Sequence, residues 1–161
     1  MIVVSNTSPL TNLAAIGQFD LLQHLYTRLN ISDGVRTELS AGGRHWPGHD
    51  HVANADWIQR HFVQNRILVT ALRRDLGVGE SESIALALEL GADLILLDEK
   101  EGRHTAQRLG LRVIGVVGIL LEAKRQGAID KVGPSLDALR QTAGFYLSEQ
   151  LYQSILALTN E

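Results

Sequence analysis

Three observations predict an α/β fold built on a parallel sheet. Two short apolar runs, Ile2-Val3-Val4-Ser5 and Leu94-Ile95-Leu96-Leu97, stop abruptly on polar or acidic residues, Asn6-Thr7-Ser8 and Asp98-Glu99. Continuous apolar runs of this length suit strands buried on both faces. Each run is followed by a helical pattern, and the alternation recurs down the chain. Strand-helix alternation implies a parallel sheet, here of four or five strands, flanked by helices.

Each element has a local reason. Residues 1–5 form the first strand. Ser8 serves as N-cap and Pro9 as first helical residue of a helix that ends before Gly17. Phe19, Leu22, Leu25 and Tyr26 fall at helical spacing and predict a helix over 18–26. Leu29 to Ser32 is a short strand, and Asp33 then caps a helix carrying Val35, Glu38 and Leu39. Residues 41–53, with Gly42, Gly43, Pro47 and Gly48, read as a loop. Trp57, Ile58, Phe62 and Val63 mark a strand, and 66–76 a helix. Gly77-Val78-Gly79 is a break before a helix over 80–90, which Gly91 ends in the left-handed conformation. The strand 94–97 leads into a polar helix over 99–109. A strand at 112–116 and a helix at 117–127 follow. The tail holds Pro134-Ser135, a helix to about 143, Gly144-Phe145-Tyr146-Leu147, and a last helix opened by Ser148.

The bulk numbers bound the function. At 161 residues the chain suits one domain, able to bury roughly two-thirds of its unfolded surface. The absence of cysteine excludes disulfides, thiolate zinc sites and cysteine nucleophiles, and fits a reducing, cytoplasmic setting. Residues 1–16 lack the basic start and cleavage signature of a signal peptide, and no stretch is long and apolar enough to span a membrane. The formal charge of −3 argues mildly against bulk electrostatic binding of nucleic acid, so such a role needs a local basic patch or metal ions.

In an open parallel sheet, ligands sit outside the carboxyl ends of the strands. Asn6 and Asp98 are therefore expected at one rim, and Glu38 and Glu80 fall at helix positions able to reach it. Oxygen ligands gathered from distant parts of a chain suggest a hard divalent cation, Mg2+ or Mn2+. Such an ion activates a water and screens phosphoryl charge. Asn6 would add a neutral amide oxygen. Each residue also has a plainer reading. Asp98 could cap a helix beginning at Glu99, Glu80 could meet a helix dipole, and Glu38 could be a surface charge. Glu82 and Glu89 read as solvated face residues. His45, His49 and His51 are spaced like a zinc patch, but no helix is evident to fix them and a solvated loop is the simpler reading. Gly77-x-Gly79 and Gly115-x-x-Gly118 lack the features of phosphate loops. Ser5, Ser8 and His104 form no readable triad. Arg73, Arg74, Lys100, Arg103, His104 and Arg108 are a basic supply near the rim, suited to phosphate contact or simply solvated.

Over roughly residues 1–127 the chain resembles the PIN-domain family. Val3-Val4-Ser5-Asn6-Thr7-Ser8 resembles the family's first strand. The run from Gly79-Glu80-Ser81-Glu82 through Gly91-Ala92 to Asp98 resembles its acidic helix, turn and acidic strand end. Glu38 within Val35-Arg36-Thr37-Glu38-Leu39 resembles the second acidic position. Ser5-Asn6-Thr7-Ser8-Pro9-Leu10, Gly79-Glu80-Ser81-Glu82 and Gly144-Phe145-Tyr146-Leu147-Ser148 resemble a branch of unknown function. The resemblance implies a three-layer α/β fold, with a PIN-like domain over 1–133 and a C-terminal helical extension over 134–161 packed on it. It further implies a metal-dependent endoribonuclease, a VapC-like toxin held by an antitoxin, and a homodimer. Asp98, Glu80 and Glu38 would then be catalytic metal ligands and Asn6 an auxiliary one. Ser8 would be a hydrogen-bonding support, with Lys100 and Arg103 at the RNA phosphate. Two departures stand out: Asn6 replaces an aspartate, and Glu80 a shorter one. The alternative is a catalytically degenerate PIN-like module that binds RNA or protein. A response-regulator-like domain is disfavoured, because it wants paired acids after the first strand, where this chain has Ser5-Asn6.

Overall fold

The computed structural model describes residues 1–41 and 46–161. Five strands, β1 (Val3–Ser5), β2 (Leu29–Ser32), β3 (Ile58–His61), β4 (Leu94–Leu96) and β5 (Val113–Ile114), form one parallel sheet in the order β3-β2-β1-β4-β5. The chain runs outward from β1 through β2 to β3, then crosses back to place β4 on the other side of β1. The topological switch point therefore lies between β1 and β4, where Val3, Val4 and Ser5 pair with Leu94, Ile95 and Leu96.

Ten helices are described: α1 (Thr7–Ala15), α2 (Leu21–Tyr26), α3 (Asp33–Glu38), α4 (His49–Ala53), α5 (Arg66–Leu72), α6 (Val78–Leu90), α7 (Lys100–Arg108), α8 (Val116–Arg125), α9 (Gly133–Gln141) and α10 (Glu149–Leu158). Alternate strand residues face opposite layers. Val3, Leu94 and Leu96 pack with Leu13, Ile119 and Leu136 on one side. Val4, Ile95 and Leu97 pack with Val69, Ile84 and Ala106 on the other. This is the three-layer architecture expected. The tail joins the first layer through Leu136, Leu139 and Ile155, and Ser135 donates to the Gln18 side chain at 2.7 Å.

Helix α6 is buried along all of Ser81–Ala87, which explains its apolar and small-residue composition. Gly91 ends it at φ 61°, as expected. Ser148 caps α10 through the Leu151 amide, also as expected.

Several local expectations are corrected. Helix α1 starts at Thr7 with Asn6 at the N-cap, because the Ser8 hydroxyl is directed to Asp98 instead. Ser32, not Asp33, caps α3 by accepting from Val35 N–H at 3.1 Å. The stretch read as a loop over 41–53 contains α4, entered through Gly48 at φ 92°. Helix α2 begins later than expected, at Leu21, and α6 begins earlier, at Val78, so that Gly79 lies inside it. Glu99 rather than Asp98 occupies the N-cap position of α7. Glu82 is no solvated face residue. It is buried, accepting from Gly34 N–H at 2.8 Å and from Arg66 at 3.0 Å, and so ties α6 to α3 and α5.

Candidate active site

The polar cluster at the switch point begins with strand pairing. Asn6 N–H donates to the Leu96 carbonyl at 2.9 Å, which holds the end of β1 against the end of β4. Asn6, Thr7, Ser8, Thr11, Glu38, Glu80 and Glu99 then line one cleft, with Trp46 at its side. Asn6, Glu38 and Glu80 thus reach the same rim, as the sequence suggested, although their elements lie far apart in the chain. Asp98 is at that rim but behind Ser8, outside the cleft lining.

Each carboxylate is oriented by specific donors. Glu38 accepts from the Thr7 hydroxyl at 2.6 Å and from Gly79 N–H at 2.7 Å, linking α1, α3 and α6. Asp98 Oδ1 accepts from Val116 N–H at 2.8 Å, at the N-terminus of α8, and Oδ2 accepts from Ser8 at 3.2 Å. Asn12 steadies Ser8 from one turn further along α1. Asp98 does cap a helix, but that helix is α8, two elements beyond α7. Glu80 accepts weakly from Gly77 N–H at 3.4 Å.

Glycines make the close approaches possible. A Cβ at Gly79 would lie 2.6 Å from Glu38 Oε2, one at Gly102 2.7 Å from Glu80 Oε2, and one at Gly115 2.5 Å from Asp98 Oδ1. Gly79, Gly102 and Gly115 therefore read as site residues. The sequence carried Gly79 and Gly115 only as turns or helix starts, and Gly102, inside a polar helix, was not singled out.

Burial raises the pKa of three of these acids. For Glu80, burial dominates, the Gly77 amide opposes it, and Glu38 adds repulsion. For Asp98, burial is opposed by Val116 N–H, Ser8 and the neighbouring Arg103 guanidinium. For Glu99, desolvation against the cleft wall leads, and Glu80 and Asp98 repel it further, although the residue stays open to solvent at the mouth.

Glu99 was not singled out from sequence. Its Oε2 accepts from the Asn6 side-chain amide at 3.2 Å. Asn6 itself is buried, and its Oδ1 has no hydrogen-bond partner. A buried amide oxygen without a partner is costly unless a ligand or ion satisfies it.

Among the described residues, no three acidic or histidine side chains close on a single point as ion ligands. The four carboxylates stand apart, each drawn to its own backbone, hydroxyl or side-chain amide donors, as mutual repulsion favours. The donor set nevertheless fits a hard cation: it is all oxygen, it is crowded with like charge, and it includes one unsatisfied buried amide oxygen.

Of the remaining predicted residues, one lies directly beside the site. Arg103 donates to the Leu97 carbonyl at 3.1 Å, beside Asp98. Lys100 is exposed in the first turn of α7. Of the histidines, His45 lies outside the described residues, His49 pairs with Asp50 at 3.0 Å, and His51 packs against Phe19. The described members of that group are thus engaged locally within and beside α4.

Sheet order, switch point and acidic cleft define a class: a doubly wound α/β protein with an oxygen-rich ligand cleft outside its central strands. The chain belongs to the PIN-domain family. A family model described as a PIN domain (DUF3368) matches residues 2–161, so the match extends through the tail as well as the sheet. No curated protein matches the chain. The PIN fold is a nuclease-type fold, and its members generally use divalent metals. Among the described residues, no helix is long and apolar enough to cross a membrane.

Proposed function

We propose that this protein is a Mg2+- or Mn2+-dependent endoribonuclease that hydrolyses RNA phosphodiester bonds. The observation that carries the reading is the set of oxygen donors along one cleft at the switch point, with Asp98 directly behind it. Glu38, Glu80 and Asp98 would hold the cation, and the unpartnered Asn6 oxygen would join them. When bound, the ion supplies Lewis-acid chemistry: a water of lowered pKa and a screened phosphoryl charge.

The chain's own groups do the rest. Thr7 and Gly79 fix the direction of Glu38, and Ser8 and Val116 fix Asp98. Glu80 has the longest donor contact of the set, so its carboxylate is the least committed to protein donors and the freest to turn toward the cation. Arg103, held at Leu97 through one nitrogen, and Lys100 at the start of α7 would meet the RNA phosphates.

The family resemblance supports a toxin held by an antitoxin, acting as a homodimer. It also supports the division into a PIN-like domain over 1–133 and a packed extension over 134–161. One observation favours the rival reading, a non-catalytic binding module: position 6 carries an amide where a carboxylate would bring a charge.

The deciding experiment is cleavage of a structured RNA by purified protein, with and without EDTA, comparing the natural chain with Asn6→Asp and Asp98→Asn. Loss of cleavage with EDTA and with Asp98→Asn is the expected result. Cleavage that persists through both means another mechanism, and an inert protein that Asn6→Asp cannot awaken points to the binding module.

A further inference from the structure

We propose that Glu99 is a metal-ligating carboxylate of this cleft, and that it supplies the negative charge which position 6 lacks. The inference rests on the metal-dependent reading above and extends it to a residue outside the predicted set.

Three observations converge on Glu99. First, it sits at the N-cap position of α7, yet its side chain caps nothing there. A glutamate placed merely to finish a helix start would turn toward the first-turn amides. This one faces the cleft. Second, Asn6 Nδ2 donates to Glu99 Oε2 at 3.2 Å across the junction of β1 and β4. Asn6 is only 2% exposed, so its orientation is fixed by packing. With Nδ2 committed to Glu99, Oδ1 is left buried in the cleft wall without a partner. The pair therefore presents one charged oxygen donor and one neutral one. An aspartate at position 6 could not make this contact, because it has no N–H to donate. Third, Glu38 and Glu80 line the same cleft, so Glu99 adds a carboxylate to a volume that two others already face. A cation between such groups is drawn to all of them and relieves the repulsion.

The neighbour in sequence cannot do the same work as easily. Asp98 already accepts from Val116 and Ser8 and lies behind the cleft lining. Asp98 would reach the cation from the back of the cleft with its oxygens already shared with Val116 and Ser8, and Glu99 faces what enters it.

The test is Mn2+ binding to the purified full chain, by calorimetry and by the Mn2+-induced rise in melting temperature, neither of which needs turnover. Glu99→Gln should weaken Mn2+ binding by about tenfold or more, the scale for a unit charge removed from a partly dry site. Glu101→Gln removes the same charge from an exposed position in the first turn of α7 and should change binding less than about twofold. The double substitution Asn6→Asp with Glu99→Gln returns the charge to the junction and should recover most of the lost affinity. Melting without metal establishes that each variant folds, and the double variant carries the test if Glu99→Gln alone does not. Glu99→Gln binding like Glu101→Gln overturns the proposal and leaves the metal-dependent reading standing. Failure of the natural chain to bind Mn2+ at millimolar concentration overturns both.

Discussion

Replacing Gly79 by alanine sets two effects of opposite sign against each other. Within a helix, alanine is favoured over glycine by up to about 1 kcal/mol, so in isolation the change would stabilise α6. The new Cβ, however, would sit 2.6 Å from Glu38 Oε2 and 2.7 Å from its carboxyl carbon. The flexible end of Glu38 must swing away. It then loses the Thr7 hydroxyl at 2.6 Å and the Gly79 amide at 2.7 Å. Each bond to a charged group contributes about 1.5–3 kcal/mol, and water replaces part of that for a half-buried side chain. After discounting by roughly half and subtracting the alanine gain, the net loss is about 0.5–2 kcal/mol, or roughly 1–8 °C for a chain of this size. Thermal denaturation followed by circular dichroism measures it. The control is the same substitution beside Glu38→Ala, where nothing obstructs the Cβ and the change should become stabilising. A rise in melting temperature with Glu38 present, or independence of the two substitutions, would show that Glu38 does not rest on α6 and that the cleft is drawn wrongly.

The other expectations can be stated together. Asp98→Asn should abolish Mg2+-dependent cleavage while the melting temperature falls by only a few degrees, since an amide oxygen can still accept from Val116 N–H; collapse of the fold instead would make Asp98 chiefly structural. Glu82→Ala strands the Gly34 amide in the interior and should destabilise by about 1–3 kcal/mol, measurable by urea titration. Glu161 accepts from Val132, Gly133 and Lys124, and these contacts lower its carboxyl pKa from the ordinary 4.5 to about 2. A lowered folded pKa contributes stability above the unfolded value and loses it as pH falls toward 2. Glu161→Gln should therefore flatten the acid limb of the stability profile in that window. Glu80, Asp98 and Glu99 run the other way: their raised folded values mean that acidification through those values stabilises the fold. Mn2+ binding should accordingly release protons, seen as a buffer-dependent heat in calorimetry.

Much of this protein was legible in the chain itself. The apolar runs at Val3–Ser5 and Leu94–Leu96 could only be buried parallel strands, and their abrupt polar ends marked the rim where Asn6 meets β4. The stop at Gly91 and the cap at Ser148 followed from local backbone chemistry that needs no tertiary partner. Other features depended on contacts between distant segments. Glu82 looks solvated beside Glu80 and Glu89, because only packing against α3 and α5 buries it. Asp98 and Glu99 are adjacent and chemically alike. Beyond Leu97 the alternation of the strand lapses, so no period says which carboxylate turns to the cleft and which to α8. Likewise, nothing local shows that Gly79, Gly102 and Gly115 are small because three carboxylates rest on them. Sequence periodicity determines which face of an element is buried. Which acids share a cleft is decided by strand order and helix packing, since those alone bring positions 6, 38, 80 and 99 together.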